Sequence, residues 1–271
     1  MESRKTIFVT GGASGIGRAV AQHFAAKGWF VGLADVNMAG VAETAGLLPA
    51  GQSSQHQLDV RERAQWQTAL ADFWQSGGGR LDVLFNNAGV GKGGPLADMS
   101  AADVDLVVDV NFKGVLYGAE AGYQWLKQTP GSCLLNTASA AAIYGGPNMS
   151  VYAATKFAVR GMTESLAQEW ADQGIAVRSL MPSFIDTPLL NAPTAGSNKS
   201  ARETVRDAGL EFTPARRSRC TCLGCRPWQE GPYARWQNGA APCLCRQMDA
   251  LAGQEPDGPR ERLTCLINPP G

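Results

Sequence analysis

Short apolar runs alternate with longer stretches in which apolar residues recur every three or four positions, from residue 5 to about residue 181. Such short runs are typical of strands in a parallel sheet, and the longer periodic stretches are typical of amphipathic helices. The pattern predicts six strands: TIFVT (6–10), FVGLAD (30–35), SSQHQLDV (53–60), LDVLFNN (81–87), SCLLNTAS (132–139) and IAVRSLMP (175–182). It predicts helices over residues 15–28, 61–79, 101–128 and 151–174.

This alternation predicts an α/β fold, a Rossmann-type, doubly wound parallel sheet with helices on both faces. We expect residues 1–213 to form one domain, because a chain of 271 residues with 44% hydrophobic residues can bury a full core. The 24 basic and 24 acidic residues balance, so neither nucleic acid nor a membrane surface is favoured as a partner. No long apolar segment follows the N-terminus, so we expect a cytoplasmic protein.

The first predicted strand leads directly into the glycine-rich sequence TGGASGIG (10–17), which opens the first predicted helix. Here Gly11 permits a tight turn, Gly15 lets the backbone approach a pyrophosphate, and Gly17 allows close packing of helix and strand. Asp35, at the end of the second predicted strand, can accept hydrogen bonds from a ribose and would repel a 2′-phosphate. Each feature alone also fits an ordinary turn, but together they favour NAD as a cofactor over NADP.

The sequence YAATK (152–156), in the last long predicted helix, places a tyrosine and a lysine four positions apart. Residues at this spacing lie on one face of a helix, so their polar ends converge. A free tyrosine has a pKa of about 10 and is a poor base at neutral pH unless a positive charge favours its phenolate. We therefore expect Lys156 and a bound nicotinamide cation to lower the pKa of Tyr152. The alternative is a half-buried core tyrosine.

Six motifs in order resemble those of the short-chain dehydrogenase/reductase family, and the matching text covers residues 5 to about 190. They are the glycine turn, LDV (58–60), NNAG (86–89), VNFKG (110–114), NTAS (136–139) and YAATK. By this resemblance Tyr152 exchanges a proton with the substrate, and Lys156 holds the nicotinamide ribose. Ser139 would stabilise oxyanion charge, and Asn111 would tie a water to the lysine. The resemblance and the glycine turn imply these cofactor-binding residues, with no metal: Gly11, Ser14, Gly15, Ile16, Gly17, Asp35, Asp59, Val60, Asn87, Ala88, Gly89, Tyr152, Lys156, Pro182, Ile185 and Thr187.

The resemblance implies an NAD-dependent oxidoreductase that transfers a hydride between nicotinamide and a secondary alcohol or ketone. It also implies a homodimer formed by the helices that carry Asn111 and Tyr152. The sequences GVGKGGPL (89–96) and AAIYGGPNM (141–149) should line a pocket for a modestly hydrophobic ligand. The alternative is a nucleotide-binding protein with little turnover, because the C-terminal part departs from the family pattern.

The family pattern ends near residue 214. We expect Thr213 to cap a helix and Pro214 to occupy its first position. Residues 214–271 are instead rich in Cys, Arg, Pro and Gly, so the final helix and the seventh strand of the family are expected to be missing. The sixth strand would then be an unprotected edge, which puts a tetramer in doubt. Three explanations compete for this tail: a cysteine metal site, a disulfide-rich appendage, and translation of the gene out of frame, which we favour.

Overall fold

A six-stranded parallel sheet forms the centre of the computed structural model, which describes residues 4–192, 194–197, 199–207 and 212–214. Its strands are β1 (Thr6–Thr10), β2 (Phe30–Asp35), β3 (Ser53–Gln57), β4 (Val83–Asn86), β5 (Cys133–Thr137) and β6 (Ala176–Leu180). The strand order is β3-β2-β1-β4-β5-β6, so the connections change direction between β1 and β4. The predicted doubly wound fold with six strands is confirmed.

Helices connect these strands and cover both faces of the sheet. The α-helices of the described residues are α1 (Gly15–Ala25), α2 (Met38–Gly46), α3 (Arg63–Ser76), α4 (Ala101–Val108), α5 (Gly114–Lys127), α6 (Ser150–Glu169) and α7 (Ala201–Asp207). A π-helical turn, Asp109–Lys113, joins α4 to α5. Short 3-10 helices span Leu96–Asp98, Ala140–Ala142, Ala171–Gln173 and Pro188–Asn191. The sequence pattern missed α2.

Alternate side chains of each central strand enter two separate cores, one on each face of the sheet. Ile7 and Val9 of β1 belong to the core that includes Phe24 of α1. Phe8, between them, belongs to the core on the other side and packs against Phe73 of α3 with ring centroids 5.2 Å apart. Because both faces are buried, the central strands read as continuous apolar runs in the sequence.

A ladder of buried polar side chains fixes α6 against the sheet. Asn86 Nδ2 of β4 donates to Asn136 Oδ1 of β5 at 3.0 Å, and Asn136 Nδ2 donates to Thr163 Oγ1 of α6 at 3.0 Å. All three residues are buried, so separating them would leave polar groups without partners in the core. The ladder therefore sets the position of the helix that carries the YAATK sequence.

A second, two-stranded sheet lies beyond β6. Its strands β7 (Ile185–Asp186) and β8 (Thr213–Pro214) pair in parallel. The prediction that Thr213 caps a helix is therefore wrong: its N–H donates to the carbonyl of Phe184 at 2.8 Å, which holds the chain extended. Within the described ranges β6 is an edge strand of the main sheet. The proposals for the tail, residues 215–271, lie outside the described residues.

The part of the chain that the structure describes contains neither a membrane-spanning helix nor a cluster of metal ligands. None of its helices has the length and apolar character needed to cross a membrane. No group of three or more His, Cys, Asp or Glu side chains is arranged there to hold a metal ion.

Candidate active site

The turn between β1 and α1 closes so tightly that its key positions require glycine. Gly11 and Gly15 have positive φ angles of 68° and 55°. A Cβ atom at Gly17 would lie 2.1 Å from the carbonyl oxygen of Gly11, so α1 packs directly on the turn. Ile16 packs against the core, whereas Ser14 is the exposed N-cap and makes no side-chain capping hydrogen bond. No side-chain cap therefore satisfies the first N–H groups of α1, as an anion-binding helix N-terminus requires.

Asp35 joins the glycine turn to the start of α2. Its Oδ2 accepts a hydrogen bond from the Ala13 N–H at 3.2 Å, and its Oδ1 accepts one from the Asn37 N–H at 3.0 Å. The carboxylate thus stands at the carboxyl end of β2 beside the turn, where the sequence predicts it.

Thr10 ties the NNAG segment to the glycine turn, and the sequence analysis did not single it out. Its Oγ1 accepts hydrogen bonds from the N–H groups of Asn87 at 2.9 Å and Ala88 at 3.0 Å. Asn87 Nδ2 donates in return to the Thr10 carbonyl at 2.9 Å. A Cβ atom at Gly11 would lie 2.9 Å from Asn87 Nδ2, so the ends of β1 and β4 form one unit.

Asp59 and Val60 follow β3 and differ in their surroundings. The Asp59 carboxylate is hydrogen-bonded to the guanidinium of Arg61, which holds the pKa of the carboxyl below its usual range. Val60 is buried: a Cβ atom at Gly114 would lie 2.7 Å from its Cγ2, and its carbonyl accepts from Trp66 Nε1. Val60 is thus fixed by packing, while the partly buried Asp59 is held by its pair with Arg61.

Ser139, Tyr152 and Lys156 meet at the carboxyl end of β5. Lys156 Nζ donates to the carbonyl of Thr137 at 2.9 Å and lies 5.7 Å from the centroid of the Tyr152 ring. A hydrogen bond joins the side chains of Tyr152 and Ser139. Ser139 Oγ also accepts from the Ala141 N–H at 3.1 Å, which leaves its own O–H to donate to the phenolic oxygen. The three predicted side chains are therefore brought together.

The electrostatics of this group depart from the sequence-based expectation. Burial raises the pKa of Tyr152 above its ordinary value of 10.0, and the hydrogen bond from Ser139 opposes this only in part. Burial also lowers the pKa of Lys156 to about 8. The expected lowering of the Tyr152 pKa by Lys156 is thus wrong for the chain alone, because a buried environment disfavours the phenolate and the ammonium alike.

Asn111 closes the site from the side of α4 and α5. It lies in the π-helical turn and is fully buried. Its Oδ1 accepts from the Val90 N–H at 2.8 Å and its Nδ2 donates to the Val90 carbonyl at 2.9 Å. A Cβ atom at Gly89 would lie 3.2 Å from Asn111 Oδ1 and 3.9 Å from Lys156 Nζ. Asn111 and Lys156 therefore both lie close to the Cβ position of Gly89.

The stretch after β6, residues 181–192, is called here the post-β6 segment, and it borders both halves of the site. The carbonyl of Pro182 accepts from the Ala140 N–H at 2.9 Å, next to Ser139. Ile185 is buried in β7. A Cβ atom at Gly15 would lie 3.2 Å from Thr187 Cγ2, so this threonine rests on the glycine turn.

Residues 5–197 match the family model described as short chain dehydrogenase. The chain belongs to the short-chain dehydrogenase family. It is 36% identical over 204 residues to the 3-oxoacyl-(acyl-carrier-protein) reductase FabG of Thermotoga maritima, covering 74% of this chain and 80% of that protein. It is 36% identical over 215 residues to the L-2,3-butanediol dehydrogenase of Corynebacterium glutamicum, covering 77% and 83% of the two chains.

Solved structures of short-chain dehydrogenases have the same fold. A short-chain dehydrogenase/reductase from Burkholderia phymatum, crystallised in complex with NAD, superimposes with a TM-score of 0.71 at 30% sequence identity. The match covers 79% of this chain and 83% of that chain. The chain is thus a member of an oxidoreductase family in which a nicotinamide cofactor has been observed bound.

Proposed function

We propose that this short-chain dehydrogenase is an NAD-dependent oxidoreductase that transfers a hydride between nicotinamide and a secondary alcohol or ketone. The observation that carries the proposal is the meeting of Ser139, Tyr152 and Lys156 at the carboxyl end of β5. In doubly wound sheets, ligands bind at the carboxyl edge of the strands, next to the point where the winding direction changes. Here that point lies between β1 and β4, and β4 is the neighbour of β5. The butanediol dehydrogenase named above supports the substrate class, since 2,3-butanediol is a secondary alcohol.

The side chains of the site fit a dinucleotide. Lys156 is 4% exposed, and the carbonyl of Thr137 is the only hydrogen-bond acceptor that the described residues offer to its three donors. A buried ammonium with unused donors suits ribose hydroxyls, and the uncapped N-terminus of α1 suits a pyrophosphate. When bound, the nicotinamide would supply or accept the hydride.

The proton is moved by the chain's own residues. Because burial raises the pKa of Tyr152, its phenol is protonated at neutral pH and can donate to a carbonyl oxygen that becomes a hydroxyl. When substrate binds, the single O–H of Ser139 would turn from the phenol to the substrate oxygen and donate to it as negative charge develops there. For alcohol oxidation Tyr152 must accept a proton, and the ammonium of Lys156 stabilises the phenolate that this requires.

Two features of the site, at Asp35 and at Arg18, support NAD over NADP. The Asp35 carboxylate lies beside the glycine turn, where it would repel a 2′-phosphate. Arg18, the nearest cation on α1, is already bound by the Ala13 carbonyl at 2.6 Å and by Glu43 Oε2 at 3.0 Å. Its Nε also donates to Thr44 Oγ1 at 2.9 Å, so Nε and Nη2 are already engaged within the chain.

Replacing Asp35 tests this cofactor preference. Asp35→Asn removes the charge and keeps a side-chain oxygen, so NADPH binding should improve by roughly tenfold or more, or about 1.4 kcal/mol, relative to NADH. Glu169→Gln, which removes an exposed charge at the end of α6, is the matched control. Equal NADH and NADPH affinities in the wild-type protein would refute the preference.

The proposed reaction is tested with NADH and a panel of ketones, and with NAD⁺ and secondary alcohols, in wild type and Tyr152→Phe. Turnover should fall by about 10² to 10⁴ in Tyr152→Phe while NADH binding, followed by its fluorescence, persists. Tyr123→Phe, on α5 away from the site, is the control and should retain turnover. NADH binding with no Tyr152-dependent turnover for any substrate would favour a nucleotide-binding protein instead.

We also propose a homodimer formed through α5 and α6. Leu116 on α5 and Phe157 on α6 are large apolar side chains with 36% and 42% exposure, which supports a covered surface. Phe157→Glu should shift the protein toward the monomer mass in light scattering. A monomeric wild type would contradict the dimer.

A further inference from the structure

The guanidinium of Arg202, on α7, is bound by three groups of the post-β6 segment. Its Nη1 forms an ion pair with Asp186 Oδ1 at 2.7 Å, its Nη2 donates to the Thr187 carbonyl at 3.2 Å, and its Nε donates to Asn191 Oδ1 at 2.8 Å. The side chain of Arg202 is only 23% exposed. One planar group with several fixed donors thus joins α7 to both ends of a six-residue stretch.

The same guanidinium also contacts the strand that follows α7. Its Cζ lies 5.5 Å from the centroid of the Phe212 ring. Phe212 immediately precedes β8, which pairs with β7 and whose Thr213 N–H donates to the Phe184 carbonyl. Arg202 therefore stands where α7, β8 and the post-β6 segment meet.

This junction is continuous with the cofactor half of the site. Thr187, whose carbonyl Arg202 holds, also places its methyl group against Gly15 of the glycine turn. The contact is close, because a Cβ atom at Gly15 would lie only 3.2 Å from Thr187 Cγ2. Arg202 thus helps to hold Thr187 on the turn, together with the Leu190 N–H, which donates to the same carbonyl at 3.1 Å.

We propose that Arg202 is a positioning residue that holds the post-β6 segment against the glycine turn and thereby sets the affinity for the dinucleotide, an inference that rests on the proposed function. Loss of the guanidinium leaves Asp186, the Thr187 carbonyl and Asn191 without this partner. The segment can then move away from Gly15, and bound dinucleotide dissociates faster. Tyr152, Ser139 and Lys156 do not contact Arg202, so proton transfer at saturating cofactor is preserved.

The test compares NADH fluorescence titrations of the wild-type protein with Arg202→Ala, Arg202→Lys and Arg206→Ala. Arg202→Ala should raise the NADH Kd about tenfold or more. Arg202→Lys should have an intermediate Kd, because a lysine keeps the charge but not the planar set of donors. Arg206, exposed on the same helix, is the matched control and should leave the Kd unchanged.

A kinetic readout separates positioning from a merely structural role. The KM for NADH should rise in Arg202→Ala while kcat at saturating NADH stays within about twofold of wild type. Arg202→Met serves as a second variant that keeps the apolar stem and removes every donor, so the inference is decided even where Arg202→Ala does not fold. A folded Arg202→Ala or Arg202→Met with a wild-type NADH Kd overturns the inference and leaves the proposed function standing. A wild-type protein that binds neither NADH nor NADPH overturns both.

Discussion

Lys156 Nζ lies 5.7 Å from the centroid of the Tyr152 ring, one turn farther along α6, and it is anchored to the Thr137 carbonyl at the end of β5. The sheet, not the phenol, therefore holds the ammonium in place. Because the anchor uses one donor of three, the lysine can stabilise a phenolate and bind a ligand at the same time.

Gly17 provides a test of the glycine turn. In Gly17→Ala the new Cβ would meet the Gly11 carbonyl, a backbone group that cannot rotate away, so α1 must move off the turn. We expect a loss of about 1–3 kcal/mol in the free energy of unfolding, measured in urea, and loss of NADH binding.

Gly161→Ala is the matched control for Gly17→Ala. Gly161 lies in α6, and nothing stands within 4 Å of a Cβ atom placed there. Alanine should therefore be neutral or stabilise the helix by about 1 kcal/mol. Unchanged NADH affinity in Gly17→Ala would show that the dinucleotide does not use this turn.

Gly94 lies where three loops meet beside the predicted substrate pocket. It has a φ angle of 140°, and its N–H donates to the Asn148 carbonyl at 2.7 Å. The neighbouring Gly93 carbonyl accepts from the Ala195 N–H at 2.7 Å. A Cβ atom at Gly94 would lie 2.6 Å from the Ala195 carbonyl oxygen, so a side chain there would separate the loops.

We therefore expect Gly94→Ala to raise the substrate KM by roughly tenfold, about 1.4 kcal/mol, without changing the NADH Kd. Gly46→Ala in α2 is the control, because Gly46 lies outside the predicted pocket and has no positive φ and open space around its Cβ position. Steady-state kinetics and NADH titration together check the result. An equal rise in the substrate KM and in the NADH Kd would mean that this junction belongs to the cofactor site.

The buried His56 makes the stability of the fold depend on pH. Its ring lies 5.3 Å from that of Phe8 and 6.0 Å from that of Phe73, and burial lowers its pKa to about 4, with Asp72 opposing the shift. Between pH 6.5 and about 4 the unfolded chain binds more protons than the folded one, so stability falls as the pH is lowered through this window. The difference corresponds to roughly 3 kcal/mol.

Urea unfolding at a series of pH values checks this expectation. His56→Gln should lose stability less steeply than the wild-type protein between pH 6.5 and 4, because glutamine does not titrate. Parallel profiles for the two proteins would show that His56 is not the group responsible.

The sequence predicted the bounds of β1 and β2 as observed, because both strands are apolar runs buried on both faces, the first followed by Gly11 and the second ending in Asp35. It missed α2, MAGVAETAG, whose two glycines and weak apolar period hide a helix of nine residues. Asn37 could have indicated the start of this helix, since its side chain caps α2 by accepting a hydrogen bond from the Gly40 N–H. The π-helical turn around Asn111 has no sequence signature of this kind.

The motifs indicated that Ser139, Tyr152 and Lys156 belong to one site. They did not indicate the contacts that hold these side chains in place. Thr10 and Asn87 are 77 positions apart, and Lys156 and Thr137 are 19 apart, so neither pair follows from local spacing. The spacing also did not show that, in the chain without cofactor, burial raises the pKa of Tyr152. Helical spacing shows that a charge is near, but desolvation depends on how much of the chain packs around the phenol.

The ionisation of Tyr152 tests the central claim most directly. Phenolate absorbance of the wild-type protein minus that of Tyr152→Phe is recorded against pH, with and without NAD⁺, and again in Lys156→Met. Without NAD⁺ the difference signal should appear only above pH 10, because burial raises the pKa of Tyr152. With NAD⁺ it should appear at lower pH, and Lys156→Met should reduce that change. A signal that NAD⁺ and Lys156→Met both leave unmoved would contradict Tyr152 as the acid/base of this enzyme.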